Sequence, residues 1–292
     1  MKDLTNDIIK EQQKIVLITG CSSNIGLQLA KQLAENSTDG NKDYLVYATG
    51  CMLNDELKNV ASDVCRVKKM NLTNSDECRE VIDGILSEHG NIDILVHCTS
   101  VNHYEAIEKI TTEKARAVMD INVTGIINVT SMCLPRMKEN ASGHIVVVSS
   151  FSGIIGVPFN SIHSASKFAI EGYCESLRDE VARHNIRVNI VEVGPVTSSE
   201  VDKELLEQLS SNNEDENKLM EIFKQKMDAS NQTMGQSPDL IAKQIKTIIE
   251  SPNNGQFRYE TNQIYANALS KVFKEKTNIQ QARMFSLSGG TL

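Results

Sequence analysis

The chain has 292 residues, of which 40% are hydrophobic and 23% are charged, a composition typical of globular proteins. Its formal net charge of −8 argues against a nucleic-acid-binding surface, so we expect no nucleic-acid partner. The polar residues 1–14 lack the apolar core of a signal peptide, and no apolar run approaches the roughly 20 residues of a membrane helix; we expect a cytoplasmic protein without an integral membrane segment.

Apolar, β-branched runs alternate with helical patterns through the first two thirds of the chain. The predicted strands are Ile15–Thr19, Leu45–Thr49, Cys65–Met70, Ile92–His97, His144–Ser149 and Ile186–Val193. The first helix follows the first strand and places Ile25, Leu29 and Leu33 on one face. The later predicted helices are Asn74–His89, a long helix capped by Thr112 that runs to about Lys138, and Asn160–Arg183.

This alternation predicts an α/β fold, because parallel strands need crossover segments between them. We expect a single Rossmann-type domain over residues 1–292, with a doubly wound parallel sheet and helices on both faces. Ligands of such sheets bind at the carboxyl ends of the strands. Residues 1–13 are expected to form a flexible N-terminus, and residues 279–292 a frayed tail.

The last third of the chain has a different composition. Residues 198–236 are rich in Glu, Asn, Ser and Lys with spaced apolar residues, which favours a helical lid over a substrate site; a solvated excursion is the alternative. Ser237 as N-cap and Pro238 as first helical residue predict a further helix. Gln256–Glu260 is a predicted edge strand.

The turn Thr19–Gly26 joins the first predicted strand to the first helix. Its glycines allow positive φ angles and a close approach of the backbone to a phosphate, and the helix N-terminus supplies unpaired N–H groups. The strand–turn–helix context therefore predicts a diphosphate-binding turn.

This turn, TGCSSNIG, resembles the TGxxxGxG pattern of the short-chain dehydrogenase/reductase family, near the branch that contains 17β-hydroxysteroid dehydrogenase type 1 and photoreceptor-type retinol dehydrogenase. Further matching segments are Asp93–Val96, Asn122–Gly125, Gly156–Asn160, Ala165–Gly172, Glu175–Leu177 and Gly194–Val196. The resemblance implies an NAD(P)-dependent oxidoreductase that interconverts hydroxyl and carbonyl groups on an apolar, steroid- or retinoid-like small molecule. It also implies a homodimer that pairs the helices around 112–138 and 160–183.

The resemblance implies NADP or NAD as the cofactor. The residues that it places against the dinucleotide are Gly20, Ser22, Ser23, Ile25, Gly26, Cys51, Asn71, Cys98, Thr99, Lys167, Gly194 and Val196. After the second strand, the family tends to carry an Asp for NAD or a basic residue for the NADP phosphate. Gly50–Met52 offers neither, so the preference between the two cofactors stays open.

The resemblance assigns catalytic roles to four residues. Ser150 would polarise the substrate oxygen, and His163 would transfer its proton. Lys167 would hold the nicotinamide ribose, while Asn122 would order a water behind it. His163 and Lys167 are four residues apart, so they share one helix face.

His163 stands where the family carries tyrosine. Histidine is a capable general acid and base, but its outer nitrogen reaches roughly 2 Å less far than a tyrosine oxygen, and a nearby lysine disfavours imidazolium. Asn24, Asn71 and Cys98–Ser100 also depart from the family pattern. Two functions therefore stay open: a working dehydrogenase/reductase, or an impaired member that acts as a dinucleotide- or lipid-binding protein.

Two other chemistries have weaker signals. Ser150 and His163 suggest a hydrolase, but no G-x-S-x-G turn surrounds the serine and no carboxylate is clearly placed to orient the histidine. His97, Cys98 and His103 lack the usual zinc spacing.

The seven cysteines include no CxxC pair, which favours free thiols in a reducing cytosol. We predict no metal site.

Overall fold

The computed structural model describes residues 13–35, 43–197, 206, 209–210, 213–264 and 267. Nearly all of the predicted flexible N-terminus at 1–13 and the whole of the predicted frayed tail at 279–292 lie outside the described residues. The lid predicted at 198–236 is described only in part.

In the part of the chain that the structure describes, seven strands form one parallel sheet. They are β1 (Lys14–Thr19), β2 (Tyr44–Gly50), β3 (Cys65–Lys69), β4 (Ile94–His97), β5 (Gly143–Ser150), β6 (Ile186–Val193) and β7 (Arg258–Glu260). The order β3-β2-β1-β4-β5-β6-β7 reverses direction between β1 and β4. This arrangement confirms the predicted doubly wound fold and places the expected ligand crevice at the carboxyl ends of β1 and β4.

Helices cross over between the strands. They are α1 (Asn24–Ala34), α2 (Asp55–Lys58), α3 (Ser75–His89), α4 (Thr112–Met119), α5 (Gly125–Glu139), α6 (Ser161–Val181), α7 (Glu214–Met234) and α8 (Pro238–Glu250). On one side of the sheet, Leu17 and Val147 pack with α3, α5 and α6. On the other side, Val16 and Val146 pack with α1 and α8. The continuous apolar runs of the sequence are thus strands buried on both faces.

Local capping explains where several elements begin and end. The side chain of Asn74 accepts hydrogen bonds from the first backbone N–H groups of α3, and Gly90 ends that helix with a φ of 76°. Asn160 is the N-cap of α6 rather than its first residue. The residue that caps α4 is Thr111 rather than Thr112, because the side chain of Thr111 accepts from the backbone nitrogen of Lys114. The strand β4 begins at Ile94, two residues later than predicted from the apolar run.

The predicted helix Thr112–Lys138 contains a π turn that the sequence pattern does not reveal. The turn spans Asp120–Thr124 and separates α4 from α5, with the N–H of Gly125 donating to the carbonyl of Asp120. A Cβ on Gly125 would lie only 2.7 Å from Cβ of Leu72, so the glycine permits a close approach of the helix. The π turn carries Asn122 and directs it toward the site described below.

The stretch Thr112–Glu139 is also long and apolar enough, by length and composition, to cross a membrane. Among the described residues it is the one such stretch, and 44% of its most apolar segment is buried inside the protein. Ile126, Val129 and Cys133 pack in the core beside the sheet. A core helix of a globular domain passes the same test, so the stretch is weak evidence for a membrane span.

The described part of the predicted lid includes the helix α7. Met220 and Phe223 are buried on its inner face. The ring of Phe223 packs edge-on against Phe159 at 5.4 Å and lies 6.2 Å from the ring of Tyr104. These contacts hold α7 over the segments that follow β4 and β5.

Candidate active site

A cleft of about 500 Å³ opens at the carboxyl ends of the strands, beneath α7. The sequence-predicted residues that line it are Ser22, Ser23, Ile25, Cys98, Ser150, His163, Lys167, Gly194 and Val196. Gly20, Gly26, Thr99 and Asn122 adjoin these lining residues, whereas Cys51 and Asn71 lie outside the lining. The structure thus brings members of both predicted sets, cofactor-binding and catalytic, to one cavity, whereas Cys51 and Asn71 are not part of its lining.

The glycine turn forms a backbone cradle at one end of the cleft. Gly20 has a φ of +79°, and a Cβ there would lie 2.5 Å from the backbone nitrogen of Thr99. A Cβ on Gly26 would lie 2.8 Å from the carbonyl oxygen of Gly20. The first turn of α1 follows directly, with Ser23 as an N-cap whose side chain makes no cap hydrogen bond. The first backbone N–H groups of α1 have no partner within the helix and can donate to the diphosphate of a dinucleotide.

The side chain of Ser22 ties this turn to the loop after β2. Its hydroxyl donates to the carbonyl of Met52 at 2.8 Å. A Cβ on Gly50 would lie 2.0 Å from the same hydroxyl, so a larger residue at position 50 would displace the Ser22 side chain. Cys51, next along the chain, is exposed.

Thr99 does not line the cleft, although its segment departs from the family pattern. Its hydroxyl donates to Thr19 at 3.0 Å, and Thr19 in turn lies 3.3 Å from Nδ1 of His97. Nε2 of His97 bonds the hydroxyl of Thr130 at 3.0 Å, and burial lowers the pKa of His97 to about 3. Both ring nitrogens of His97 thus contact threonine hydroxyls. This argues against His97 as a metal ligand.

Asn71 is engaged within its own turn. Its side-chain oxygen accepts hydrogen bonds from the backbone nitrogen of Thr73 at 3.1 Å and from the hydroxyl of Thr73 at 2.9 Å. Asn24, by contrast, lies at the start of α1 and lines the cleft. Among the described residues, no group of three or more His, Cys, Asp or Glu side chains is placed to hold a metal ion.

Ser150 lies at the end of β5, on the cleft wall. Its hydroxyl oxygen accepts from the backbone nitrogen of Ser152 at 3.1 Å and donates to the hydroxyl of Ser152 at 3.3 Å. The longer of these bonds is weak, so the Ser150 hydroxyl can turn toward an incoming oxygen with little loss.

His163 is 5% exposed and lies in the first turn of α6. Its Nδ1 is 2.8 Å from the backbone carbonyl of Val101. Burial, together with the nearby Lys167 cation, lowers the pKa of His163 to about 4, and the bond to Val101 opposes this only in part. The partner that orients His163 is a backbone carbonyl rather than a carboxylate, which argues against the Ser–His hydrolase alternative.

Asn122 holds the Val101 backbone from both sides. Its side-chain oxygen accepts from the N–H of Val101 at 2.8 Å, and its amide nitrogen donates to the carbonyl of Val101 at 3.0 Å. The same amide nitrogen donates to the hydroxyl of Ser166 at 3.0 Å. The amide is therefore engaged with the segment that orients His163.

Lys167 is 2% exposed and donates to the carbonyl of Val148 at 3.1 Å. Burial lowers its pKa to about 8, against the opposing effect of the Glu171 carboxylate. Glu171 lies one helical turn further along α6, where its carboxylate is 3.3 Å from Nε of Arg258. The same Nε lies 3.2 Å from Glu192 on β6, so the last strand closes a charged cluster behind the cleft.

Two contributors to the site have no signal in the sequence. Val101 acts through its backbone, which any residue could supply. Ser152 partners Ser150 only because a short 3₁₀ turn follows β5. Glu171 was part of a matching segment, and its i+4 spacing from Lys167 was the available indication that it lies beside the lysine.

Comparison with known proteins adds independent information. The model of the family described as short chain dehydrogenase matches residues 14–210. Retinol dehydrogenase 8 of Bos taurus is 36% identical over 255 residues, covering 82% of this chain and 78% of that protein. The 17-beta-hydroxysteroid dehydrogenase type 1 of Homo sapiens is 32% identical over 197 residues, covering 65% of this chain and 59% of that protein.

Solved structures share the fold at lower sequence identity. A short-chain dehydrogenase from Streptomyces avermitilis superposes with a TM-score of 0.76 at 24% identity, covering 91% of this chain and 94% of that one. The NAD⁺-bound xylitol dehydrogenase superposes with a TM-score of 0.72 at 21% identity, covering 85% and 97%. These two likenesses support the fold alone.

Proposed function

Because the chain belongs to the short-chain dehydrogenase family, we propose that it is an NAD(P)-dependent oxidoreductase acting on an apolar alcohol or carbonyl compound. The observation that carries this proposal is that one cleft is lined by residues of the glycine turn together with Ser150, His163 and Lys167. In a doubly wound sheet this is the position at which ligands bind.

The proposed cofactor is a nicotinamide dinucleotide, NADP or NAD. The backbone cradle of Gly20 and Gly26 would hold its diphosphate, and Lys167 would reach the adjoining ribose. When bound, the nicotinamide ring accepts or donates a hydride. The proposal leaves the choice between NAD and NADP open, because the loop Gly50–Met52 carries neither an acidic nor a basic side chain.

Three side chains would act on the substrate and cofactor. The Ser150 hydroxyl would hydrogen-bond the substrate oxygen, and His163 would exchange a proton with it. The ammonium of Lys167 would hold the ribose while its carbon stem stays buried. Asn122 would act through Val101, as a positioning residue for His163.

The proposed substrate is an apolar small molecule of steroid- or retinoid-like character. Tyr104, Val157, Leu206 and Met227 line the part of the cleft beneath the lid, and they offer mainly apolar surface. The names of the two relatives, a retinol dehydrogenase and a 17-beta-hydroxysteroid dehydrogenase, support this class of substrate.

A second candidate function is that of a dinucleotide- or lipid-binding protein with little or no turnover. The observation that favours it is the burial of His163, which together with Lys167 lowers its pKa, at the position where the family carries tyrosine. In either function we expect a cytoplasmic homodimer that pairs α4–α5 and α6 with their counterparts in a second copy.

Cofactor binding and turnover in the wild type and in His163→Tyr test the proposal. We expect calorimetry to detect binding of NADH or NADPH, and turnover of at least one alcohol–carbonyl pair among retinol, retinal, 17β-estradiol and estrone. His163→Tyr should raise the rate of carbonyl reduction by about 10²-fold, because the phenol oxygen reaches further into the cleft.

His184→Tyr, which changes a histidine in the turn after α6, should leave both properties unchanged. Tight cofactor binding without turnover by the wild type would favour the second candidate function. A chain that binds neither dinucleotide would contradict both.

A further inference from the structure

We propose that the cleft selects a hydroxyl group over a carbonyl group, because Val101 and Asn122 fix His163 as a hydrogen-bond acceptor toward the substrate. This inference rests on the proposed function and adds which substrate group, a hydrogen-bond donor or an acceptor, the site binds. Its starting point is the 2.8 Å contact between Nδ1 of His163 and the carbonyl oxygen of Val101.

A carbonyl oxygen can only accept a hydrogen bond, so Nδ1 of His163 must carry the hydrogen in this contact. A neutral imidazole has one N–H group. Nε2 of His163 therefore has no hydrogen and offers a lone pair. Because His163 lines the cleft, this lone pair is available to a substrate as an acceptor.

Asn122 keeps the acceptor carbonyl in place. The side-chain oxygen of Asn122 accepts from the N–H of Val101 at 2.8 Å, and its amide nitrogen donates to the carbonyl of Val101 at 3.0 Å, so both peptide units that meet at Val101 are held in orientation. The carbonyl of Val101 thus accepts two hydrogen bonds, one from Asn122 and one from His163, which uses both of its lone pairs. Rotation of the peptide unit that carries this carbonyl would break both of these contacts.

The surroundings of the ring disfavour a second proton on His163. Among the described residues that line the cleft, the other titratable side chains are Cys98, Tyr104 and Lys167, and none is a carboxylate. Lys167 is a cation one helical turn away, and burial raises the pKa of Cys98 to about 12, so the thiol stays neutral. An imidazolium in this cleft would have no counter-anion within it.

The two substrate groups differ in what they offer to this lone pair. A hydroxyl can donate its hydrogen to Nε2, whereas a carbonyl oxygen presents another lone pair to it. In oxidation, Nε2 would take the O–H proton while the C–H electron pair would leave as hydride and the C=O bond would form; an oxidised nicotinamide, when bound, would be the hydride acceptor. Reduction requires an imidazolium at the start, which at pH 7 is a minor state.

The first test measures the tautomer directly and needs no substrate. Long-range ¹H–¹⁵N correlation spectra of the protein labelled with ¹⁵N-histidine should show His163 with a protonated Nδ1 and a bare Nε2 from pH 8 down to pH 5. The His163→Tyr spectrum assigns the signal by its loss. Asn122→Ala should populate both tautomers, whereas Asn128→Ala, which removes an exposed amide on α5, should leave the signal unchanged.

The second test follows both directions of the reaction against pH, with estrone and 17β-estradiol or with retinal and retinol. Oxidation should vary less than threefold between pH 5 and 7. Reduction should rise about tenfold for each unit of falling pH, because it needs the imidazolium form. In His163→Tyr this rise should disappear.

The outcomes separate the two proposals. A bare Nδ1 with a protonated Nε2, an imidazolium at pH 7, or a reduction rate independent of pH would overturn the hydroxyl preference even if the protein is an active enzyme. Absence of cofactor binding together with the expected tautomer would contradict the proposed oxidoreductase function. It would leave intact the inference that Nε2 of His163 is a hydrogen-bond acceptor in the cleft.

Discussion

Gly20 shows how closely two segments of backbone approach each other in the cradle. It has a φ of +79°, and a Cβ added there would lie 2.5 Å from the nitrogen of Thr99 and 2.7 Å from the carbonyl carbon of Cys98. Gly90 has nearly the same conformation, with a φ of +76°, but nothing lies within 4 Å of its Cβ position. The two glycines therefore separate the effect of conformation from that of contact.

Gly20→Ala is expected to destabilise the protein more than Gly90→Ala. The left-handed conformation costs about 1 to 2 kcal/mol for alanine at either position. The contact with rigid backbone at Gly20 adds about 1 to 3 kcal/mol, and moving that backbone should also weaken cofactor binding. Denaturant titration and calorimetry measure the two effects. Equal losses of stability in the two variants would show that the approach to Thr99 is not tight.

At the level of elements, β5 and β6 share a buried histidine whose charge state is fixed by its neighbours. Nδ1 of His144 accepts from Arg187 at 2.8 Å, and Nε2 donates to the side-chain oxygen of Asn189 at 2.7 Å. The amide nitrogen of Asn189 donates to the carbonyl of Gln256, which confirms the direction of its oxygen. Protonation of Nδ1 would break the bond to Arg187.

This arrangement predicts acid sensitivity at His144. Burial, and then the Arg187 cation, lower the pKa of His144 to about 3, whereas in an unfolded chain it lies near about 6.5. Below pH 6.5 the unfolded state binds a proton that the folded state does not. The contribution of His144 to stability is thus present above pH 6.5 and is lost as the pH falls toward 3, by up to about 1.4 kcal/mol per pH unit.

Unfolding of the wild type and His144→Gln from pH 7 to pH 4.5 measures this contribution. The variant should lose stability less steeply as the pH falls, and His184→Gln serves as a control. The comparison between variants is needed because Glu192 acts with the opposite sign. Burial and the neighbouring Glu171 raise the pKa of Glu192 to about 7, so its contribution falls as the pH rises from about 4.5 to 7. Parallel pH curves for the wild type and His144→Gln would contradict the prediction.

For the whole molecule, the apolar stretch Thr112–Glu139 and the outer face of α6 bear on its assembly. The most apolar segment of Thr112–Glu139 is only partly buried inside the protein. On α6, the side chain of Phe168 is 47% exposed. An apolar surface on these two helices is what the proposed homodimer would bury.

Phe168→Glu should convert the proposed dimer to a monomer, because it would place a desolvated charge in the interface. Ile107→Glu is the matched control, since Ile107 is 72% exposed and belongs to neither helix, lying in a 3₁₀ turn between β4 and α4. Light scattering at a protein concentration of tens of micromolar should report a dimer for the wild type and the control. A monomeric wild type would contradict the prediction.

The local pattern was sufficient to predict most of the fold. Ile186–Val193 was predicted as a strand and is one, and Ser237 caps the helix that begins at Pro238. These features depend on hydrophobic periodicity and on caps, which act within a few residues. The π turn at Asp120–Thr124 was not predicted, because its extra residue is accommodated by packing of Gly125 against Leu72 rather than by local sequence.

The candidate site divides in the same way. Ser150, His163, Lys167 and the glycine turn were selected from motif spacing, and the structure brings them to one cleft, although their roles remain proposals. Thr99, which lies in a segment that departs from the family pattern, is not part of the cleft lining. Its hydroxyl turns to Thr19, 80 positions away in the chain, which no local pattern could indicate.

The sequence by itself determined the order of strands and helices, the phosphate turn and the presence of a histidine where the family has tyrosine. Only the tertiary structure decided what that histidine can do. The hydrogen on Nδ1 of His163 is held by the carbonyl of Val101, 62 positions earlier, and that carbonyl is held by Asn122. A backbone carbonyl has no residue-specific signature, so the proton-accepting side of the imidazole is set by folding and not by the identity of any neighbour in the chain.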